Sequence, residues 1–280
     1  LDLTERSIEL FSGVLPDSPL YRTAALQRGL GLSRLDRNEE AVETLRSLVA
    51  ESPEDYSGYI ALGGVLATER RYEEAIEVYE GALTHLDRTD TRFWPLHYRL
   101  GIAYERTKQW PKAEETFKYA LELSPNQPDI LNYLGYSWID MNINLDEGMD
   151  MIRMAVEMRP RDGYIVDSLG WAQYRLGQFD EAVESLERAA DLRPRDPTIN
   201  DHLGDAYWRV GRKLEAAYQW SQVLDMDPED VDMEFIKAKL EAANRGDMPL
   251  IAESSIDEDT GGAQATKDEK NASGGNTDDG

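Results

Sequence analysis

The 280-residue chain contains no cysteine. That excludes disulfides, thiol nucleophiles and zinc or iron–sulfur sites built on thiolates. Histidine is scarce as well. His85, His97 and His202 are the only three, none has a second histidine at metal-ligand spacing, and there is no H-E-x-x-H. No apolar run approaches the roughly 18 residues of a membrane span. The phosphate loops G-x-x-x-x-G-K-[ST] and G-x-G-x-x-G are missing, as is the G-x-S-x-G elbow. Asp140-x-Asn142-x-Asn144-x-Asp146 opens like a calcium loop. Leu145, however, stands where such a loop needs glycine, and Met151 where it closes on glutamate. A turn is the better account of that stretch. With no converging acid, base, nucleophile or metal set, the chain is expected not to be an enzyme and to carry no cofactor.

Basic residues are few beside acidic ones, 30 against 55, for a net charge of −25. An acidic surface repels phosphate backbones and anionic lipid, so nucleic acid is not an expected partner. Two readings of the acidity remain: plain solubility, or attraction to a protein or peptide with a basic segment. Hydrophobic residues make up 41% of the chain, enough for a buried core.

What is present is a repeat. Leu-Gly pairs recur at Leu62-Gly63, Leu100-Gly101, Leu134-Gly135, Leu169-Gly170 and Leu203-Gly204, and Gly29 opens an earlier copy. Positions are counted below from this glycine. Small residues return at +12 (Ala41, Ala75, Ala113, Ala182, Ala216) and large apolar ones at +16 (Leu45, Tyr79, Phe117, Leu186, Trp220). Near +24 comes proline: Pro53, Pro125, Pro194 and Pro228. Gly29 to Gly63, Gly101 to Gly135 and Gly170 to Gly204 are each 34 residues apart. Glycine and alanine fit where two helices cross closely, the large residue fills the space beside them, and proline ends the second helix. Gly177, Gly211 and Asn142–Asn144 fall at the turn between the two helices. Residues 84–93 add four residues, expected as a longer loop or an extra helical turn, and the turn at Met141–Glu147 adds one, so that Gly148 takes the small-residue place.

A period of about 34 with a helix–turn–helix unit is the tetratricopeptide (TPR) signature, and the chain is identified as a member of that family. The expected fold is all-α, a right-handed superhelical solenoid of TPR helix–turn–helix repeats. Residues 1–20 read as the second helix of a truncated repeat, with Ser7, Phe11, Val14 and Pro19 in register; 21–228 as six repeats; 229–245 as a capping helix; and 246–280 as a disordered acidic tail.

In this fold the first helices are expected to line the concave surface, with positions −3, +1, +4 and +5 pointing into it. The partner-binding residues predicted on that basis are Tyr98, Arg106, Asn132, Tyr136, Asp140, Asp167, Trp171, Tyr174, Arg175, Asp201, Asp205, Trp208 and Arg209. Aromatic and arginine side chains are the common anchors of protein interfaces. On this reading, removing Trp171 and Trp208 leaves the fold intact. The first two copies place Leu26, Leu30, Ile60, Gly64 and Ala67 there instead, so the groove grades from apolar to aromatic and acidic.

The stretches LNYLGYSWID (131–140), VDSLGWAQYRLGQFDEAVESLERA (166–189) and INDHLGDAYWRVGR (199–212) resemble envelope TPR proteins of alphaproteobacteria. More distantly, the chain is similar to the outer-membrane lipoprotein adaptor of a carboxyl-terminal processing protease. That resemblance implies a non-catalytic adaptor in the bacterial periplasm, with a periplasmic protease or cell-wall hydrolase as client. The first residue, Leu1, reads as the start of a fragment or processed product, with a signal or lipid anchor upstream. The competing expectation is a cytoplasmic assembly scaffold with another client. Co-chaperone TPR domains grip a terminal carboxylate with lysine and asparagine. Here the −3 places hold Leu26, Ile60, Tyr98, Asn132, Asp167 and Asp201, which speaks against that clamp.

Overall fold

The computed structural model describes residues 2–251 apart from 88, 227, 229, 230 and 248. The expected tail lies almost wholly outside the described residues. Fourteen α-helices and no strand are present among the described residues. No helix there is long and apolar enough to cross a membrane. The helices alternate in length with the repeat. After α1 (Asp2–Ser12) the first helices α2 (Tyr21–Ser33), α4 (Tyr56–Thr68), α6 (Trp94–Arg106), α8 (Pro128–Asp140), α10 (Gly163–Arg175) and α12 (Pro197–Arg209) have 13 residues each. The second helices α3 (Asn38–Glu51), α5 (Tyr72–His85), α7 (Trp110–Leu123), α9 (Leu145–Met158), α11 (Phe179–Leu192) and α13 (Lys213–Met226) have 14. A final 13-residue helix, α14 (Met233–Arg245), begins later than the 229 expected.

Local chemistry sets the ends. Asp55, Asp162, Asp196 and Asp232 cap first-type helices, each accepting a backbone N–H from two residues on at 3.0–3.1 Å. Most second helices open instead with acids in the first turn, such as Glu39 and Glu40 or Asp180 and Glu181, against the positive end of the helix dipole; α7 has none. Part of the acidic composition therefore serves helix starts. The turn inside each pair places position +7 in the left-handed region in all six copies: Asp36, Arg70, Lys108, Asn142, Gly177 and Gly211. Glycine takes that conformation freely, whereas the other residues pay a steric penalty for it.

The chain divides into two compact units, residues 1–130 and 131–280. In the first, α2 pairs with α3, α4 with α5 and α6 with α7, and α2 meets α4 and α4 meets α6. In the second, α10 pairs with α11 and α12 with α13, α10 meets α12, and α13 meets α14. The glycine is what allows each pairing. A Cβ on Gly101 would lie 2.6 Å from Phe117 Cε1, and one on Gly170 2.6 Å from Leu186 Cγ. Gly29, Gly63 and Gly204 meet Leu45, Tyr79 and Trp220 in the same way. These +16 residues are fully buried, as are the small residues at +12. In the copy with one extra turn residue, Gly135 abuts the Gly148 carbonyl and Ile152 instead, one place further on.

Within the stretch 84–93, Thr84 and His85 end α5, and a single 3-10 turn, Thr91–Phe93, leads into α6. The Phe93 ring is buried edge-on against Tyr56 at 5.2 Å. In α1, Ser7 and Phe11 are only half-buried; the buried residue is Ile8, which fits against Gly31. Replacing Gly170 by leucine should destabilise the second unit by about 1–3 kcal/mol, since its new side chain must displace Leu186. Chemical denaturation of the variant checks this, and an unchanged midpoint would remove the close crossing as a constraint.

Candidate functional site

The first-helix face of the second unit is built from charge pairs and stacked rings that link one first helix to the next. At the α10–α12 junction His202 Nδ1 lies 3.0 and 3.2 Å from the two carboxylate oxygens of Asp167. The Trp171 ring stacks on His202 at 4.0 Å and on Tyr174 at 5.0 Å. At the α12–α14 junction Lys239 Nζ donates to Asp201 at 2.7 Å and to Asp205 at 2.6 Å. Lys239 is 1% exposed, and its ammonium also lies 4.9 Å from the Phe235 ring centre. Further along, Arg209 covers Phe179 at 4.3 Å, and Arg175 approaches Asp140 at 3.6 Å.

These contacts correct the sequence reading of exposure. Asp167, Trp171, Tyr174, Asp205 and Trp208 do not face an open groove; all five are buried. The reason is stacking: positions −3, +1 and +4 of these first helices turn toward neighbouring helices, so their side chains fill the junctions. Trp208 packs on Trp220 at 6.0 Å under the Lys213 ammonium, and Tyr136 packs, half-buried, on the same cluster. The prediction that losing Trp171 and Trp208 leaves the fold intact is reversed, because truncating a buried tryptophan costs about 3–5 kcal/mol. Of the three acids expected to attract a basic client, Asp167 faces His202, and Asp201 and Asp205 share Lys239. Asn132, Asp201, Arg175 and Arg209 are half-buried, and Asp140 is exposed. In the first unit Tyr98 is half-buried, 6.1 Å from the Phe117 ring, and Arg106 is exposed beside Glu105.

The same face of the first unit is not filled. A groove of about 470 Å³ runs over α2, α4 and α6, lined by Leu26, Leu30, Tyr56, Ile60, Gly64 and Val65 with Arg99 at its edge. The apolar start of the groove was thus readable in Leu26, Leu30, Ile60 and Gly64. Tyr56, Val65 and Arg99 were not anticipated. Gly64 occupies +1, where Tyr136, Trp171 and Asp205 fill their junctions, and a Cβ there would meet only Arg99 Nη1, at 3.9 Å. A second cleft, of about 920 Å³, lies over α5, α6 and α7. Some of its polar groups pair with one another: the Tyr104 hydroxyl donates to Glu80, and Lys118 pairs with Glu114 at 2.7 Å, while the His97 ring meets Tyr119 at 4.8 Å. Among the described residues no three histidine, aspartate or glutamate side chains gather as a metal-binding group.

Tetratricopeptide-repeat family profiles match residues 26–91, 94–127 and 170–211. The chain belongs to the tetratricopeptide-repeat family. It is 26% identical over 177 residues to a TPR repeat-containing protein of Pseudomonas aeruginosa, covering 62% of this chain and 29% of that one. It is 23% identical over 186 residues to the RNA polymerase-associated protein CTR9 of Caenorhabditis elegans, covering 61% of this chain and 16% of that one. This TPR chain thus spans less than a third of the length of either relative. Among solved structures, the Cut9–Hcn1 hetero-tetramer of APC/C superposes with a TM-score of 0.71 at 16% identity, over 86% of this chain and 46% of that one. A tetratricopeptide repeat protein of Parabacteroides merdae gives 0.65 at 16%, over 86% and 91%.

Two outcomes test the junctions of this TPR protein. Lys239→Ala leaves Asp205 buried without its cation and should cost about 3–5 kcal/mol, whereas joint replacement by Lys239→Met and Asp205→Leu should recover most of that loss. Urea titration of both variants measures it; equal stability of the two would remove the ion pair from the account. The second concerns pH. Burial, the largest single influence, pushes the His202 pKa down, but Asp167, with Asp201 and Asp205 behind it, outweighs burial and raises it above its usual 6.5. A raised folded-state pKa means that the contribution to stability is complete below about 6.5 and is lost as pH climbs through the raised value. The stability difference between wild type and His202→Gln, followed by calorimetry, should therefore shrink as pH rises from mildly acidic to mildly alkaline. A difference independent of pH would contradict the assignment.

Proposed function

We propose that this chain is a non-catalytic scaffold that holds a partner protein or peptide in the groove over α2, α4 and α6. We further propose that it works as an adaptor in the bacterial cell envelope, for a client such as a periplasmic protease or cell-wall hydrolase. The observation that carries the binding role is the unfilled groove itself. The first-helix junctions of the second unit are closed by the chain's own side chains, whereas at α4–α6 the glycine at +1 leaves apolar side chains uncovered. An apolar channel edged by one cation suits an extended or helical segment of another chain. The names of two similar proteins, the polymerase-associated CTR9 and the Cut9–Hcn1 hetero-tetramer, describe assemblies with other proteins, which is the kind of role proposed. The envelope setting is supported by the stretches at 131–140, 166–189 and 199–212.

Gly64→Trp is the direct test. It places at +1 the residue found naturally at Trp171, in a space where a Cβ has no close neighbour. The variant should fold with wild-type stability and lose the partner that wild type captures from the periplasmic extract of the source cells, as read by mass spectrometry. Retention of the same partner by a folded Gly64→Trp protein would place the binding surface elsewhere, and a partner found only in the cytoplasmic extract would remove the envelope role.

A further inference from the structure

We infer that the α2–α4–α6 groove selects a peptide segment in which an aliphatic side chain stands beside an internal aspartate or glutamate, with Arg99 as the group that receives the carboxylate. This rests on the groove being the binding surface and adds the chemistry of what enters it. The argument is a comparison of equivalent junctions. At α10–α12 the −2 residue of the later helix, His202, finds Asp167 at −3 of the earlier one. At α12–α14 Lys239 finds Asp201 and Asp205. At α4–α6 the −2 residue is Arg99, but the earlier helix offers Ile60 at −3 and Gly64 at +1. The junction therefore keeps its cation and lacks the acid.

Arg99 is exposed, and among the described residues it forms no ion pair. Burial pushes the Tyr79 phenol up to about 12, with Arg99 pulling against it, so the phenol is neutral and does not cancel the guanidinium charge. No other charged group lines the groove, and Leu26, Leu30, Ile60 and Val65 supply the apolar surface beneath it. A guanidinium prefers a carboxylate to any neutral acceptor, and the apolar wall beside it holds a leucine- or isoleucine-sized side chain. One cation lines the groove, which matches the one carboxylate of an acidic side chain on a passing segment.

The experiment measures fluorescence anisotropy of uncharged-dye-labelled, C-amidated peptides against the full chain. The probe is Gly-Ser-Leu-Glu-Leu-Glu-Gly-Ser, compared with versions carrying glutamine or lysine for glutamate, and with the glutamine version ending in a free carboxylate. The glutamate peptide should bind about tenfold more tightly than the glutamine one, and the gap should narrow with added salt. Arg99→Gln should abolish the gap, and Arg99→Glu should shift the preference to the lysine peptide. Equal binding of glutamate and glutamine peptides, lost in Gly64→Trp, would overturn the carboxylate assignment while leaving the groove as the binding surface. Glutamate-peptide binding that survives Gly64→Trp would overturn the groove itself. Tighter binding of the free-carboxylate peptide, or no binding of any peptide, would overturn the inference as well.

Discussion

The structure depends on a close crossing between the two helices of each pair, with a residue lacking a side chain on one and a large apolar residue on the other. Six glycines occupy that place on the first helices, and in five copies the residue sixteen positions later fills the space beside them. Because the helices cannot approach unless that site is empty, the glycine sets the spacing within a pair. Within each unit the next helix then packs against the pair so formed. The one copy with an additional turn residue keeps the crossing by moving both contacts one place along, to Gly148 and Ile152.

Once the pairs are spaced, neighbouring first helices face one another, and the chemistry of their facing positions decides whether the surface is closed or open. Where an acid meets a histidine and a ring stacks on that histidine, as with Asp167, His202 and Trp171, the junction is sealed. Such buried charges are strongly destabilising if one partner is removed, although the intact pair can be close to neutral in net energy. Where a glycine and an isoleucine meet a lone arginine, the surface stays open. Closed and open junctions thus share one backbone arrangement and differ in two or three side chains.

The acidity of the chain divides along the same lines. Some aspartates cap helices, some glutamates meet helix dipoles, and Asp167, Asp201 and Asp205 serve inter-helix pairs. Tyr207 uses another: its hydroxyl donates to Glu187 of the preceding pair at 2.8 Å, as Tyr104 does to Glu80. Net charge therefore says less about a partner than its magnitude implies.

The helical repeat, its period and the crossing glycines were legible in the sequence because they are local. A helix start needs its cap, a turn its left-handed residue and a crossing its missing side chain, and each leaves a mark at a fixed offset. The apolar character of Leu26, Leu30, Ile60 and Gly64 was legible for the same reason. What the sequence did not determine was which polar and aromatic residues of the first helices meet solvent. Trp171 and Trp208 have the composition of an interface, and they are core, because a neighbouring helix that is distant in sequence covers them. Only the tertiary structure brings His202 to Asp167 across 35 positions, Lys239 to Asp205 across 34, and Arg99 to the edge of Gly64. Exposure is a property of what packs against a residue, and a repeat read one copy at a time contains no record of its neighbour.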